Sequence, residues 1–156
     1  MAIRLTNYIH PECFVADLTE GTREDALRKI VRLAAEKRLL KNEEAVYTRL
    51  IEREAIQSTA VGNGIAIPHC FVEEIPDLII ILARSRQGLE FGSFDGKPVH
   101  LVFLLMGNRQ EHSLHLKALA RIAMLIKHNG FIKKILASTS AQEMAQAFDD
   151  EESNTR

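Results

Sequence analysis

Much that would specialise a chain is scarce in these 156 residues. There are two cysteines, Cys13 and Cys70, which make neither a metal-type spacing nor a disulfide framework. No sign of charge dominates: 20 lysines and arginines stand against 21 aspartates and glutamates. No basic run is longer than Lys133-Lys134, so the footprint of a nucleic-acid binder is missing. No apolar run approaches the roughly 18 residues that cross a bilayer, which argues against direct membrane insertion. Met1 to Asn7 lack the apolar core of a signal peptide. The expectation is a soluble, cytoplasmic protein. Internal repeats are absent, and the only biased stretch is a short polar one after Phe148. At this length one domain with a sizeable core is the default, placed at residues 1–150 with a polar C-terminal tail at 151–156.

What is present is an interleaving of strand and helix patterns. Cys13 to Leu18 alternates as a strand does. Thr22 with Asp25 reads as an N-cap for a helix running to about Glu36. Asn42, followed by Glu43 and Glu44, reads as the cap of a second helix ending near Arg53-Glu54. Leu78 to Ala83 is a continuous apolar run, as in a central strand covered on both faces. Asp95-Gly96 signals a turn before the strongest strand pattern, Val99 to Met106. The next helix buries Leu119, Ile122, Ala123 and Ile126, and Lys127-His128-Asn129-Gly130 is the predicted stop. A short helix over Phe131 to Leu136 follows. Ser140 with Glu143 forms a capping box for a last helix through Phe148. The fold class is α/β: a single-domain sandwich, a mixed β-sheet flanked by helices, with at least one antiparallel pair.

One stretch invites chemistry, Ser58-Thr59-Ala60-Val61-Gly62-Asn63-Gly64-Ile65-Ala66-Ile67-Pro68-His69. Its glycines permit close backbone approach, and Pro68 ends or edges a strand. The outcome is a histidine at a strand's end beside a glycine-rich loop; the plainer reading is an ordinary turn with a surface histidine. Arg53 stands where the second helix hands over to this loop, or is simply a solvated arginine. His100 reads as a strand-end histidine. His115 lies within about 40° of the buried stripe of its helix, while His112 is about 60° further round and near the helix start. A metal site from His69, His112 and His115 is a weaker reading, because no carboxylate or cysteine completes the set.

These residues resemble a known family. Arg53-Glu54, Ser58-Thr59, Gly62 to His69, and His115-Leu116 with Leu119 are similar to the enzyme IIA domains of the fructose, mannitol and nitrogen-related phosphotransferase systems. The likeness spans about Leu5 to Phe148 and is strongest to the nitrogen-related branch. The sequence departs at Ala60 and at Cys70, where many members have glycine. The resemblance implies a phosphoryl carrier in which His69 accepts the group from a histidine phosphocarrier protein and passes it on. It implies no cofactor and no metal. A neutral imidazole near pH 7 suits the nucleophile. Arg53 would neutralise charge, His115 would be the second active-site histidine, and backbone N–H groups of Gly62, Asn63 and Gly64 would hold phosphoryl oxygens. No IIB-like or IIC-like segment is attached, so a free-standing regulator that signals to a protein partner is expected. The alternative is a fructose- or mannitol-type transport subunit that serves a separate IIB component. Phe71, Val72 and Phe94 are expected at the docking surface.

Overall fold

The computed structural model describes residues 3–154. Its centre is β5 (Val99–Gly107), hydrogen-bonded along both edges. On one edge lies β4 (Leu78–Leu89), antiparallel to it, with Leu78 opposite Gly107 and Arg84 opposite Leu101. On the other edge β2 (Ile65–Ala66) and β3 (His69–Phe71) run parallel to β5. Outermost is β1 (Ala60–Gly62), which forms a hairpin with β2. This is the mixed sheet expected. The antiparallel pair anticipated around Asp95-Gly96 is β4 with β5, and Gly96 takes a positive φ of 71° in the turn between them.

Strand alternation sorts two cores. Ile79, Ile81 and Ala83 of β4, with Val102, Leu104 and Met106 of β5, face α1 (Arg23–Glu36) and α2 (Glu43–Ile56). Leu78, Ile80 and Leu82, with Leu101, Phe103 and Leu105, face α3 (His112–Leu125), α4 (Asn129–Ala137) and α5 (Ala141–Asn154). The helices begin where their caps dictate. The Thr22 hydroxyl accepts from Asp25 N at 3.2 Å, and the Asn42 side chain accepts from Ala45 N at 3.0 Å. Ser140 Oγ accepts from Glu143 N at 3.1 Å, while the Glu143 carboxylate turns back to Thr139 N at 2.9 Å. Each such cap is worth about 1 kcal/mol. Among the described residues no helix is long and apolar enough to cross a membrane.

Several element boundaries differ from expectation. Cys13 to Leu18 is no strand. Pro11, without an N–H, opens a 3-10 turn through Cys13, and the segment then meets β4 only by lone parallel bridges such as Val15 to Ala83. Gly130 does not close α3; it lies in the first turn of α4, and α3 ends on its own backbone cap at Ile126. Residues 149–154, expected as part of a polar stretch after Phe148, are helical. They continue α5 to Asn154 because Glu152 is buried, accepting hydrogen bonds from Leu5 N at 2.6 Å and Thr6 N at 2.9 Å. That contact ties the last helix to the first turn of the chain.

Candidate functional site

His69 is the first residue of β3, just beyond the carboxyl end of β2. β2 and β3 pair with β5 in one unbroken register, and only Ile67-Pro68 interrupts the pairing. Pro68 has no N–H to give, but its carbonyl still accepts from Leu105 N at 2.9 Å. The interruption frees the Ile67 carbonyl, and His69 Nδ1 lies 2.8 Å from it. The ring therefore donates Nδ1–H to a backbone oxygen two residues earlier in the chain, and Nε2 keeps its lone pair. Burial is the main cause lowering the His69 pKa; the nearby Arg53 guanidinium lowers it further, while the Ile67 bond and Glu54 act the other way. The neutral imidazole is thus favoured at pH 7.

His115, one turn into α3, is brought to His69: the ring centroids are 5.6 Å apart. It is 2% exposed, and neither ring nitrogen has a hydrogen-bond partner among the described residues. Burial first, then the neighbouring His69 and His112, push its pKa down to about 4. The ring fits because position 107 has no side chain; a Cβ there would fall 3.1 Å from the His115 Cγ and closer still to Nδ1. His112 is exposed, with its ring 5.8 Å from that of Phe71. Among the described residues no group of His, Cys, Asp or Glu is placed to hold a metal ion, so His69, His112 and His115 do not form one.

Arg53 lines the same cleft as His69, together with Arg49, Glu52, Ile56, Cys70, Phe71 and Arg109, around a volume of about 480 Å³. Its guanidinium donates to the Gln57 carbonyl at 2.9 Å, and Arg49 donates to the Phe71 carbonyl at 3.2 Å. Arg49 and Arg109 were not singled out from the sequence, since isolated arginines on a helix and in a turn carry no local signal. Glu54 enters the sequence reading only within the Arg53-Glu54 motif. It is buried and accepts from Thr59 N at 3.1 Å as well as from the Thr59 hydroxyl. An acid in the last turn of α2 opposes the helix dipole, and that oddity was the legible clue.

Gly62, Asn63 and Gly64 are not at this cleft. They make the β1–β2 hairpin turn with φ of 91°, 57° and 79°, at the amino end of β2, whereas His69 follows its carboxyl end. Four residues of strand, about 13 Å, separate Ile65 from His69. The turn faces the far end of α3 at Ala123 and Ile126, and Asn63 N is already bonded to Asp95 Oδ2 at 3.1 Å. In this structure the loop lies apart from the His69 cleft, and its glycines serve the reversal of the chain. Of the expected docking residues, Phe71 lines the cleft, Val72 is wholly buried and Phe94, though 84% exposed, packs by the Gly62 turn. Ile56, at the cleft itself, is 82% exposed.

Residues 7–151 match the model of a family described as "Phosphoenolpyruvate-dependent sugar phosphotransferase system, EIIA 2". A nitrogen regulatory protein of Bradyrhizobium diazoefficiens is 39% identical over 138 residues, covering 88% of this chain and 90% of that protein. A PTS system fructose-specific EIIA component of Haloferax volcanii is 30% identical over 122 residues, covering 78% and 79%. The crystal structure of nitrogen regulatory protein IIA-Ntr from Neisseria meningitidis has the same fold, with a TM-score of 0.85 at 24% identity over 92% of this chain and 98% of that one.

Proposed function

The chain belongs to this EIIA 2 family, whose members carry phosphoryl groups, and from that premise we propose that His69 is the residue phosphorylated, at Nε2. The observation that carries the reading is the bond from Nδ1 to the Ile67 carbonyl. It fixes the tautomer whose Nε2 is nucleophilic, beside arginines that suit a phosphoryl group. The step balances without a base. The Nε2 lone pair forms the new P–N bond as the P–N bond of a donor phosphohistidine breaks, and the bonding electrons leave with the donor imidazole. His69 keeps its Nδ1 proton throughout. Such transfers depend on positioning and charge more than on covalent help.

His115 supports the transferred group. A buried ring with unpartnered nitrogens is costly, by about 1–3 kcal/mol, and a neutral imidazole can donate one N–H to a phosphoryl oxygen. Arg53 neutralises charge at the cleft mouth. The donor is a histidine phosphocarrier protein. The nitrogen-type regulatory role is favoured because the match to a nitrogen regulatory protein spans nearly the whole of that protein and exceeds the identity to the fructose component. Delivery to a IIB component is the second reading, favoured by the fructose-specific relative.

The test is incubation with phosphorylated carrier protein. Acid-labile phosphate should appear on the wild-type chain and not on a folded His69→Ala variant; label persisting on that variant would remove the reading. Presenting the labelled protein to a IIB component, and capturing partners with each phosphorylation state, separates the two roles.

A further inference from the structure

Resting on that reading, we propose that Arg109 is a second phosphoryl-binding residue, held ready over the Phe71 ring to grip the group on His69. Phe71 follows His69 by two positions on β3, so both side chains leave the same face of the strand, about 7 Å apart along it. The Arg109 guanidinium lies 4.9 Å from the Phe71 ring centroid, and Arg109 lines the His69 cleft. The opposite end of the chain's logic is at the backbone: Asn108, next to it, is pinned by Nδ2 donating to the Ile75 carbonyl at 2.6 Å, by its N–H donating to the Asp77 carbonyl at 2.8 Å and by its Oδ1 accepting from Gln110 N at 2.9 Å. The base of the side chain is therefore fixed while its head is uncommitted.

Like the heads of Arg38 and Arg86, that of Arg109 meets no carboxylate or carbonyl among the described residues, but of these three only Arg109 lines the His69 cleft. Arg4, Arg23, Arg28, Arg32 and Arg121 each meet a carboxylate. Arg84 is buried against carbonyls. Arg109 has, among the described residues, neither a hydrogen bond nor an ion pair. Stacking on an aromatic face occupies none of its five N–H donors, and a guanidinium presents them as a planar fork that fits phosphate oxygens. The cleft holds Arg49, Arg53 and Arg109 against the single carboxylate of Glu52, and among the described residues none of the three arginines has a carboxylate within ion-pair distance. Arg49 and Arg53 spend donors on carbonyls; Arg109 alone brings all of its own. Exposed and cationic, it has a ligand's chemistry written into its surroundings: a dianion bonded to the strand next door.

The experiment uses two donors, the phosphorylated carrier protein and phosphoramidate, a small donor with no docking surface. Arg109→Gln should slow phosphorylation by both, by about tenfold, the rate equivalent of one charge-assisted hydrogen bond. Arg109→Lys should recover part of the loss, as a point charge without the fork. In the phosphorylated protein, the ³¹P titration of the His69 phosphoryl group should move to higher pH in Arg109→Gln, a change that a merely structural role would not produce. Normal rates with phosphoramidate but slow transfer from the carrier would make Arg109 a docking residue and overturn the proposal. So would unchanged rates with both donors and an unchanged ³¹P titration. A wild-type chain that accepts phosphate from neither donor would overturn the phosphoryl-carrier reading itself, and Arg109's role with it.

Discussion

At His115 a single ring is kept uncharged by its surroundings, and this has a measurable consequence for stability. Its folded pKa is about 4, against about 6.5 in an unfolded chain. Between those values the unfolded state binds a proton that the folded state does not, so stability falls as pH is lowered from about 6.5 to about 4. Above that window the group contributes no pH dependence; below it the loss is complete. The size is roughly 3 kcal/mol from this group. Urea unfolding at pH 7 and at pH 4.5 should therefore show a smaller loss in His115→Leu than in the wild type. Equal losses would mean that His115 is not the group responsible. The proximity of His115 to His69 was legible from helical spacing, because an inward-facing position on α3 can only meet the sheet. The space that admits the ring was not. It comes from Gly107 on another element, and no local pattern pairs residues eight positions apart across a turn.

Among the elements, the last turn of α2 and the short strands after it decide where the cleft forms. Glu54 joins them, as the acceptor for both the N–H and the hydroxyl of Thr59. Removing it leaves a buried N–H without a partner, at a cost of about 1–3 kcal/mol. Glu54→Ala should lower the urea midpoint by that equivalent, and Glu54→Gln, which keeps an acceptor oxygen, should lose less. A Glu54→Ala variant as stable as the wild type would show that the pairing is dispensable. The capped helices and the two long apolar strands were readable because cap, period and length agree within one segment. The errors arose where tertiary contact overrides the local signal. The alternation of Cys13 to Leu18 was real, but Pro11 and sparse bridging leave it outside the ladder. The glycines at 62 and 64 suit a ligand cradle and a hairpin reversal alike, so local pattern does not separate the two.

For the molecule as a whole, the sheet separates two apolar cores and leaves one cationic opening, at the end of β3 and the start of α3. Three guanidiniums, two half-buried and one exposed, line it with one carboxylate, so on the proposed reading encounter with an acidic or phosphorylated protein would be steered by charge. Transfer from the carrier protein should slow as ionic strength rises, since exposed charges are screened beyond about 8 Å at 0.15 M, while phosphorylation by phosphoramidate should change less. Equal salt dependence with both donors would place the effect in the chemistry and not in the encounter. The layered α/β architecture was legible from the order of patterns along the chain; the gathering of Arg49, Arg53 and Arg109 was not, because they come from a helix and a turn more than fifty residues apart.

The bond between His69 and the carbonyl of Ile67 has one more consequence. The anchor lies within three consecutive residues and needs no lid, hinge or distant loop, so on the proposed reading phosphorylation would leave the position of this ring unchanged. What alternates is the sign of a small area of surface. Unmodified, the cleft carries two more positive charges than negative ones; with a phosphoryl group of about −2 it is close to neutral. On the proposed reading, a partner protein would meet a change in the charge of the cleft rather than a new contour.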